Sequence, residues 1–210
     1  SVFRYRIKQT MVAIKNSGFN TIIVQVRPNG DACYQSSYFP WSKYVVGSYG
    51  KTASYDPFKI IIEEAYAQAL SVHAWVNPMR LMSTSEITSV SSSSIIGQWY
   101  NDSSKRGTYI VAVNGMYYLN PGYADVRNLI VNGVTEICQN YNVDGIHFDD
   151  YFYPLGAGNS FDQAAFTASG QANRSVWRKL CVNTFVKGTY EALKAVDSGI
   201  IFGISPAGKP

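Results

Sequence analysis

The stretch VDGIHFDD, residues 143–150, decides how the rest of the chain is interpreted. It is short and largely apolar and ends in two adjacent carboxylates, as expected for a buried parallel strand with a polar tip. Side chains alternate along a strand. Ile146 and Phe148 therefore share one face, which we expect to pack under helices. His147 and Asp149 share the opposite face and point away from those helices.

Two earlier apolar runs, NTIIVQVRP (20–28) and SVHAWVN (71–77), show the same division into an apolar and a polar face. The residues predicted on their polar faces are Gln25 and Arg27 in the first run, and His73, Trp75 and Asn77 in the second. In each strand the polar side chains gather toward the C-terminal end. Barrel enzymes build their active sites at that end of their strands, so the pattern predicts a functional site there.

Strands and helices alternate along the chain, which implies a parallel sheet with helical crossovers. Helices are predicted over 4–17, 57–70, 124–140 and 172–196, and strands over 20–28, 71–77, 109–112, 117–120, 143–150 and 199–205. An open doubly wound sheet and a closed barrel both fit. No GxGxxG or Walker-type phosphate loop follows the first strand, which disfavours the nucleotide-binding open sheets. We therefore predict one α/β domain over residues 1–210, a (β/α)8 TIM-barrel-like fold with only about five strand–helix units present and an incomplete C-terminus.

Composition narrows the classes of partner. Lys and Arg number 18 against 14 Asp and Glu, and they form no basic run, so nucleic-acid binding is not predicted. No apolar stretch approaches the ~20 residues that span a bilayer, and no signal peptide is visible. The three cysteines have no CxxC spacing, which argues against a disulfide framework or a zinc site. The 16 tyrosines favour a partner such as a sugar, because tyrosine combines an apolar face with a polar edge.

Asp149 and Asp150 are the predicted catalytic residues, at the C-terminal end of strand 4 when the hairpin 109–120 is counted as one strand. Glycoside hydrolysis uses two carboxylates that flank one bond. Adjacent strand residues point to opposite faces, so these two do not form such a pair. We expect Asp149 to be the main catalytic carboxylate, with Asp150 orienting it, a loop or the substrate. In the structural alternative, Asp149 pairs with Arg27 or Arg80 and Asp150 caps the following loop.

A metal site is the second chemical option, formed by His73, His147 and Asp149. It ranks below the carboxylate mechanism because both histidines are spaced like ordinary inward strand residues. We therefore predict no metal and no cofactor.

Several polar and aromatic residues near the strand ends are candidates to bind a glycan. The predicted substrate-binding residues are Gln25, Arg27, Trp75, Asn77, Arg80, Asn120, His147, Tyr151 and Tyr153, with Trp41 and Trp99 as further possible stacking surfaces. Arginine can hold carboxylates or hydroxyls, and asparagine offers paired amide contacts. For each aromatic residue alone, packing in the core is an equally good interpretation.

The runs GFNTIIVQVRPNGDACY (18–34), HAWVNPMR (73–80), YLNPG (118–122), VDGIHFDDYFYP (143–154) and FGISPAG (202–208) resemble the glycosyl hydrolase-like 10 family. The resemblance covers nearly the whole chain. It implies a bacterial (β/α) barrel, often exported and joined to cell-wall-binding modules, and hence an extracellular or cell-envelope location. It also implies a polysaccharide substrate, with peptidoglycan glycan strands as the leading class.

The resemblance places the acidic strand tip at Asp149, Asp150 and Tyr151, and the substrate cleft at Arg27, Asn77, Arg80 and Asn120. It further implies that the barrel continues after the SPAG block, where a second catalytic carboxylate is expected. In AYAQAL (65–70), Ala69 stands where the family has a Gly that favours a left-handed turn. The competing functional hypothesis is a carbohydrate-binding barrel without turnover.

Overall fold

A computed structural model of the protein describes residues 1–149 and 152–206. Its strands are β1 (Thr21–Arg27), β2 (Ser71–Val76), β3 (Arg80–Ser83), β4 (Ile110–Val113), β5 (Met116–Leu119), β6 (Gly145–Asp149) and β7 (Ile201–Ser205). Its α-helices are α1 (Val2–Asn16), α2 (Lys43–Val46), α3 (Pro57–Tyr66), α4 (Ile95–Asn101), α5 (Ala124–Asn140), α6 (Gln163–Ala168) and α7 (Arg174–Val196). Short 3₁₀ helices cover Ile87–Ser89 and Asn159–Phe161.

The central sheet has the strand order β1-β2-β6-β7, and every neighbouring pair is parallel. The predicted hairpin is present as β4 and β5, but it pairs with β3 in a separate antiparallel sheet of order β3-β5-β4. Within the described ranges the parallel sheet therefore has four strands. Asp149 ends β6, which is the third strand of this sheet. The sequence placed Asp149 on strand 4, and this is corrected because the hairpin belongs to the separate antiparallel sheet.

One face of the parallel sheet is covered by helices, as its alternation predicts. Ile146 and Phe148 of β6 are both fully buried. The Phe148 ring stacks on Phe185 of α7, with centroids 5.4 Å apart and planes 8° from parallel. This contact fixes which face of β6 is turned toward the helices. The other face carries His147 and Asp149.

Local chemistry explains where α3 begins and why α5 packs on one face. The Asp56 side chain caps α3 by accepting a hydrogen bond from the Lys59 backbone N–H at 3.0 Å, and Pro57 occupies the first helical position. Helix α5 has the predicted bounds, and it buries Val126, Ile130 and further apolar residues on one face. None of the helices in residues 1–149 and 152–206 is long and apolar enough to cross a membrane.

Helix α3 ends at Tyr66, before the predicted end at residue 70, because the chain turns into a left-handed conformation at Ala69, with φ 51°. A Cβ in this conformation costs about 1–2 kcal/mol. We expect Ala69→Gly to raise the free energy of unfolding by about 1 kcal/mol, measured by denaturant titration. The matched Ala67→Gly change, at a right-handed position with φ −60°, should instead lower stability. If both changes destabilise equally, Ala69 is not strained.

Candidate active site

An open cavity of about 250 Å³ lies on the face of the parallel sheet that carries His147 and Asp149. Its lining residues are Ile23, Trp75, His147, Asp149 and Ser205. The strand register explains this grouping, since Trp75 pairs with His147 across β2 and β6, and Asp149 pairs with Ser205 across β6 and β7. The structure thus brings together three of the predicted site residues, Trp75, His147 and Asp149.

Two glycines make room for the histidine rings. His73 lies opposite Gly145 and His147 lies opposite Gly203 in the parallel register. A Cβ added at Gly145 would be 2.7 Å from His73 Nδ1, and one at Gly203 would be 2.7 Å from His147 Nδ1. Each ring therefore rests against the bare backbone of the neighbouring strand, where no other residue type leaves enough space.

The orientation of His147 is set at the other ring nitrogen. Its Nε2 lies 2.7 Å from Ser205 Oγ, in hydrogen-bonding contact. Burial lowers the pKa of His73, and the nearby His147 lowers it further, against the opposing influence of Asp144. We infer that His73 is predominantly neutral near pH 7.

The tip of β6 is held through its backbone. Gln25 Nε2 donates to Asn77 Oδ1 at 2.7 Å, and Asn77 Nδ2 donates to the backbone oxygen of Asp149 at 3.4 Å. Among the described residues, the carboxylate of Asp149 forms neither a hydrogen bond nor an ion pair. Gln25 and Asn77 therefore position the strand end and leave the carboxylate for another partner.

Arg27 does not reach the cavity. Its Nη2 donates to the backbone oxygens of Asn77 and Pro78, and its guanidinium lies 4.3 Å from the Phe39 ring centroid. It is only 1% exposed, and burial lowers its pKa to about 10, so it stays charged near neutral pH. The hypotheses that Arg27 pairs with Asp149 or lies on the inner face are wrong.

A bulge in β1 explains the position of Arg27. Gln25 pairs with Trp75, but the next pair joins Arg27 to Val76, so the register shifts by one residue. Simple alternation breaks down at a bulge, which moves the following side chain to the other face.

Two further predicted binding residues have structural contacts. Arg80 Nε donates to the Pro28 backbone oxygen at 3.1 Å and so links the loops after β1 and β2. Asn120 is 1% exposed. Its Nδ2 donates to the backbone oxygens of Thr108 and Phe161 at 3.0 and 3.3 Å, and its Oδ1 accepts from Gly122 N–H at 3.0 Å. The structure does not bring Asn120 into the cavity.

The aromatic candidates are dispersed. Trp99 is buried and packs edge-on against Tyr109 at 5.1 Å, as its core interpretation predicts. Trp41 lies in another surface depression, with Ser91 and Ser94 among its lining residues. Tyr153 also lies outside the cavity lined by Asp149, which we call the Asp149 cavity. The predicted residues Asp150 and Tyr151 fall outside the described ranges.

Tyr153 lines a larger cavity of about 710 Å³ between the loop after β6 and the start of α7. We call this cavity the cationic pocket. Its polar and aromatic lining residues are Tyr153, Asn159, Asn173, Arg174, Ser175, Arg178, Lys179 and Asn183. No sequence motif pointed to it, because its cations lie on α7, which the sequence predicts only as a crossover helix over 172–196.

The metal alternative is not supported by the side-chain arrangement. Across residues 1–149 and 152–206, no group of three or more His, Cys, Asp or Glu side chains could hold a metal ion. His73, His147 and Asp149 are all described, so the proposed His/His/carboxylate set is not formed.

Residues 3–210 match the model of the family described as glycosyl hydrolase-like 10. The chain belongs to this family. This glycosyl hydrolase-like 10 chain is 37% identical over 201 residues to one curated relative, glycosyl hydrolase YngK of Bacillus subtilis (strain 168). It is 30% identical over 200 residues to glycosyl hydrolase DigH of Escherichia coli (strain K12). Each match covers 93% of this chain, but only 38% of YngK and 46% of DigH.

Solved structures share the fold of this glycosyl hydrolase-like 10 chain at low identity. The α-L-fucosidase isoenzyme 2 of Paenibacillus thiaminolyticus matches with a TM-score of 0.62 and 15% identity, over 98% of this chain and 29% of its own. The GH20 exo-β-N-acetylglucosaminidase of Vibrio harveyi matches with a TM-score of 0.62 and 13% identity, over 95% and 33%. The predicted α/β TIM-barrel-like fold is confirmed, and at this identity the likeness concerns the fold alone.

Sequence reasoning missed two of the described residues that line the Asp149 cavity of this glycosyl hydrolase-like 10 chain, the apolar Ile23 and the polar Ser205. Ser205 ends the strand GIIFGIS (199–205) and contacts His147. Alternation from Gly203 would have placed Ser205 on the inner face. That strand reads as uniformly apolar, so its single terminal hydroxyl gave little signal.

Proposed function

We propose that the protein is a glycoside hydrolase and that the carboxylate of Asp149 takes part in the cleavage of the glycosidic bond. The observation that carries this proposal is the position of Asp149, at the C-terminal tip of a parallel strand and in the wall of a cavity shared with Trp75 and His147. Active sites of TIM-barrel enzymes occupy this end of the strands. The family assignment supports the same reaction class.

The surroundings of Asp149 suit this role. Its backbone is tied to Asn77, while its carboxylate has no ion-pair partner among the described residues and can face a substrate. The Trp75 ring offers a flat apolar surface on which a sugar can stack. His147 and Ser205, which contact each other, form a polar wall of the same cavity. We extend the proposal to Asp150 and Tyr151, next in sequence, as orienting and substrate-binding residues.

Glycoside hydrolysis requires a second carboxylate whose distance from the first decides the stereochemical outcome. Separations of about 5–5.5 Å accompany retention, and about 6.5–9.5 Å accompany inversion. One group protonates the leaving oxygen, while the other attacks the anomeric carbon or activates water. Asp149 supplies one of these two roles in the proposal.

We further propose that the substrate is a bacterial cell-envelope glycan, with peptidoglycan glycan strands as the first candidate. The resemblance carried by the strand-end motifs implies a glycan, and the curated relatives YngK and DigH come from bacteria. Such a substrate places the protein outside the cytoplasm, in the envelope or the medium.

Release of reducing ends from purified peptidoglycan strands, with and without stem peptides, tests the reaction class. We expect new reducing ends to accumulate with time and to be unaffected by a metal chelator, because the proposed chemistry uses carboxylates. Binding without release would contradict the enzyme proposal and favour a carbohydrate-binding barrel. Loss of activity on chelation, with acetate released instead of reducing ends, would indicate a metal-dependent deacetylase.

A further inference from the structure

The cationic pocket is built by a network around one buried carboxylate. Asp162 has a fully buried side chain, and it accepts from Arg174 Nη1 and Arg178 Nε at 2.6 Å each. Arg178 Nη2 also reaches the Gly158 backbone oxygen at 2.8 Å, and Arg174 Nη1 reaches that of Asn159. These contacts tie the loop after β6 to the first turns of α7. The pocket wall is therefore held in place by contacts within the protein.

The charge of the pocket is not balanced by its own residues. Among the residues that the structure describes, Arg174, Arg178 and Lys179 line it, and no Asp or Glu does. Asp162 lies behind the wall, so three cations and one carboxylate leave two positive charges at the pocket. In the described part of the chain, Lys179 forms no ion pair or hydrogen bond. A cavity with excess positive charge raises the local concentration of anions.

The position of the pocket connects it to the Asp149 cavity. Tyr153 lines the pocket and follows Asp149 by four residues, so their Cα atoms are at most about 14 Å apart. The ring of Tyr153 lies 4.9 Å from the Arg178 guanidinium, which holds this wall in place. Because α7 follows β6, its N-terminal turns lie toward the same end of the sheet as the tip of β6. A glycan that occupies the Asp149 cavity can thus extend toward the pocket.

We propose that the cationic pocket is an accessory subsite that binds a carboxylate group carried by the glycan. The proposal rests on the proposed function, because it names the substrate class of the same protein as an acidic glycan. At about 710 Å³ the pocket lies within the size range of small-molecule sites, so it has room for a sugar residue with its substituent.

The uncommitted groups favour a carboxylate over a doubly charged phosphate. Arg174 and Arg178 already use most of their donors on Asp162, on the Gln163 side-chain oxygen and on loop carbonyls. Lys179 remains as a single uncommitted charge, and Asn159 and Asn183 offer amide groups beside it. One ammonium with neighbouring amides matches one negative charge and the hydroxyls around it.

Charge reversal at Lys179 tests the subsite through binding affinity, with no measurement of cleavage. Two probes are used: peptide-free peptidoglycan strands with free carboxyl groups, and the same strands after reduction of those groups to hydroxymethyl groups. We expect Lys179→Glu to weaken binding of the acidic strands about tenfold or more and to leave binding of the reduced strands unchanged. Calorimetry on the full-length protein in an Asp149→Asn background measures both affinities without interference from cleavage.

The matched control is Lys187→Glu, which makes the same charge change on the same helix. Lys187 is exposed and faces Glu191 at 3.6 Å, and it does not line the pocket. Equal effects of the two changes, or an equal loss of affinity for acidic and reduced strands, would overturn the subsite. A neutral Lys179→Gln variant should show an intermediate loss for the acidic strands only.

Failure of the subsite and failure of the proposed function give different results. If Lys179 governs binding of acidic strands but the protein releases no reducing ends, the pocket stands and the hydrolase proposal falls. If reducing ends are released but charge reversal has no selective effect, the hydrolase stands and the subsite falls. If neither probe binds, both proposals fall.

Discussion

The Asp149→Asn protein should release reducing ends from glycan strands at least about 10³-fold more slowly than the unaltered protein. The amide keeps the size of the side chain but can neither accept a proton nor attack the anomeric carbon. Because Asp149 contacts Asn77 through its backbone oxygen, the substitution leaves that contact in place. Affinity for the strands should therefore change by less than tenfold. Initial rates and calorimetry on the same preparation separate the two quantities.

Asp144→Asn is the matched control for this prediction. Asp144 precedes the same strand at its opposite end, where Oδ2 accepts from Tyr66 Oη at 2.9 Å and from Val72 N–H at 2.7 Å. We expect this change to lower thermal stability and leave kcat near its original value. If Asp144→Asn reduces kcat as much as Asp149→Asn does, the loss reflects damage to β6 instead of catalysis by Asp149.

Gly203→Ala should have the largest effect on activity after Asp149→Asn, and it should also lower stability. The new Cβ would lie 2.7 Å from His147 Nδ1, closer than real Cβ contacts permit. The ring must then move, which breaks its contact with Ser205 and costs about 1–3 kcal/mol of folding free energy. A displacement of about 1 Å in a site wall can reduce kcat/KM about 10²-fold. Denaturant titration and steady-state rates measure the two consequences.

Gly188→Ala provides the comparison at a glycine without close neighbours. It lies inside α7, and a Cβ there would meet nothing within 4 Å. Replacing a helical glycine with alanine should stabilise the protein by about 0.5–1 kcal/mol and leave activity unchanged. A Gly203→Ala protein that is as stable and as active as the original would show that His147 has no required position.

Elements with strong local signals were predictable from sequence. Helix α5 has the predicted bounds because its apolar residues recur at helical spacing over 17 residues. The Asn114–Gly115 turn adopts φ values of 49° and 80°, as a two-residue hairpin requires, and its conformation depends only on these two residues. The faces of β6 also followed from alternation, since this strand has no bulge in its pairing with β2 or β7.

Sites that depend on long-range register were not predictable in the same way. The position of Arg27 depends on a bulge against β2, so counting residues along β1 placed it on the wrong face. The role of Asn120 depends on backbone groups at Thr108 and Phe161, far along the chain in either direction.

The sequence by itself determined the fold class, the main elements and the acidic strand tip at Asp149, because periodicity and turn chemistry act over a few neighbouring residues. Tertiary structure decided which polar residues meet. It joined Ser205 to His147, and it separated Tyr153 from the Asp149 cavity by placing it against Arg178. Such pairings depend on how strands align and how loops pack on helices. The distances between the paired residues are therefore set only when the whole chain is folded.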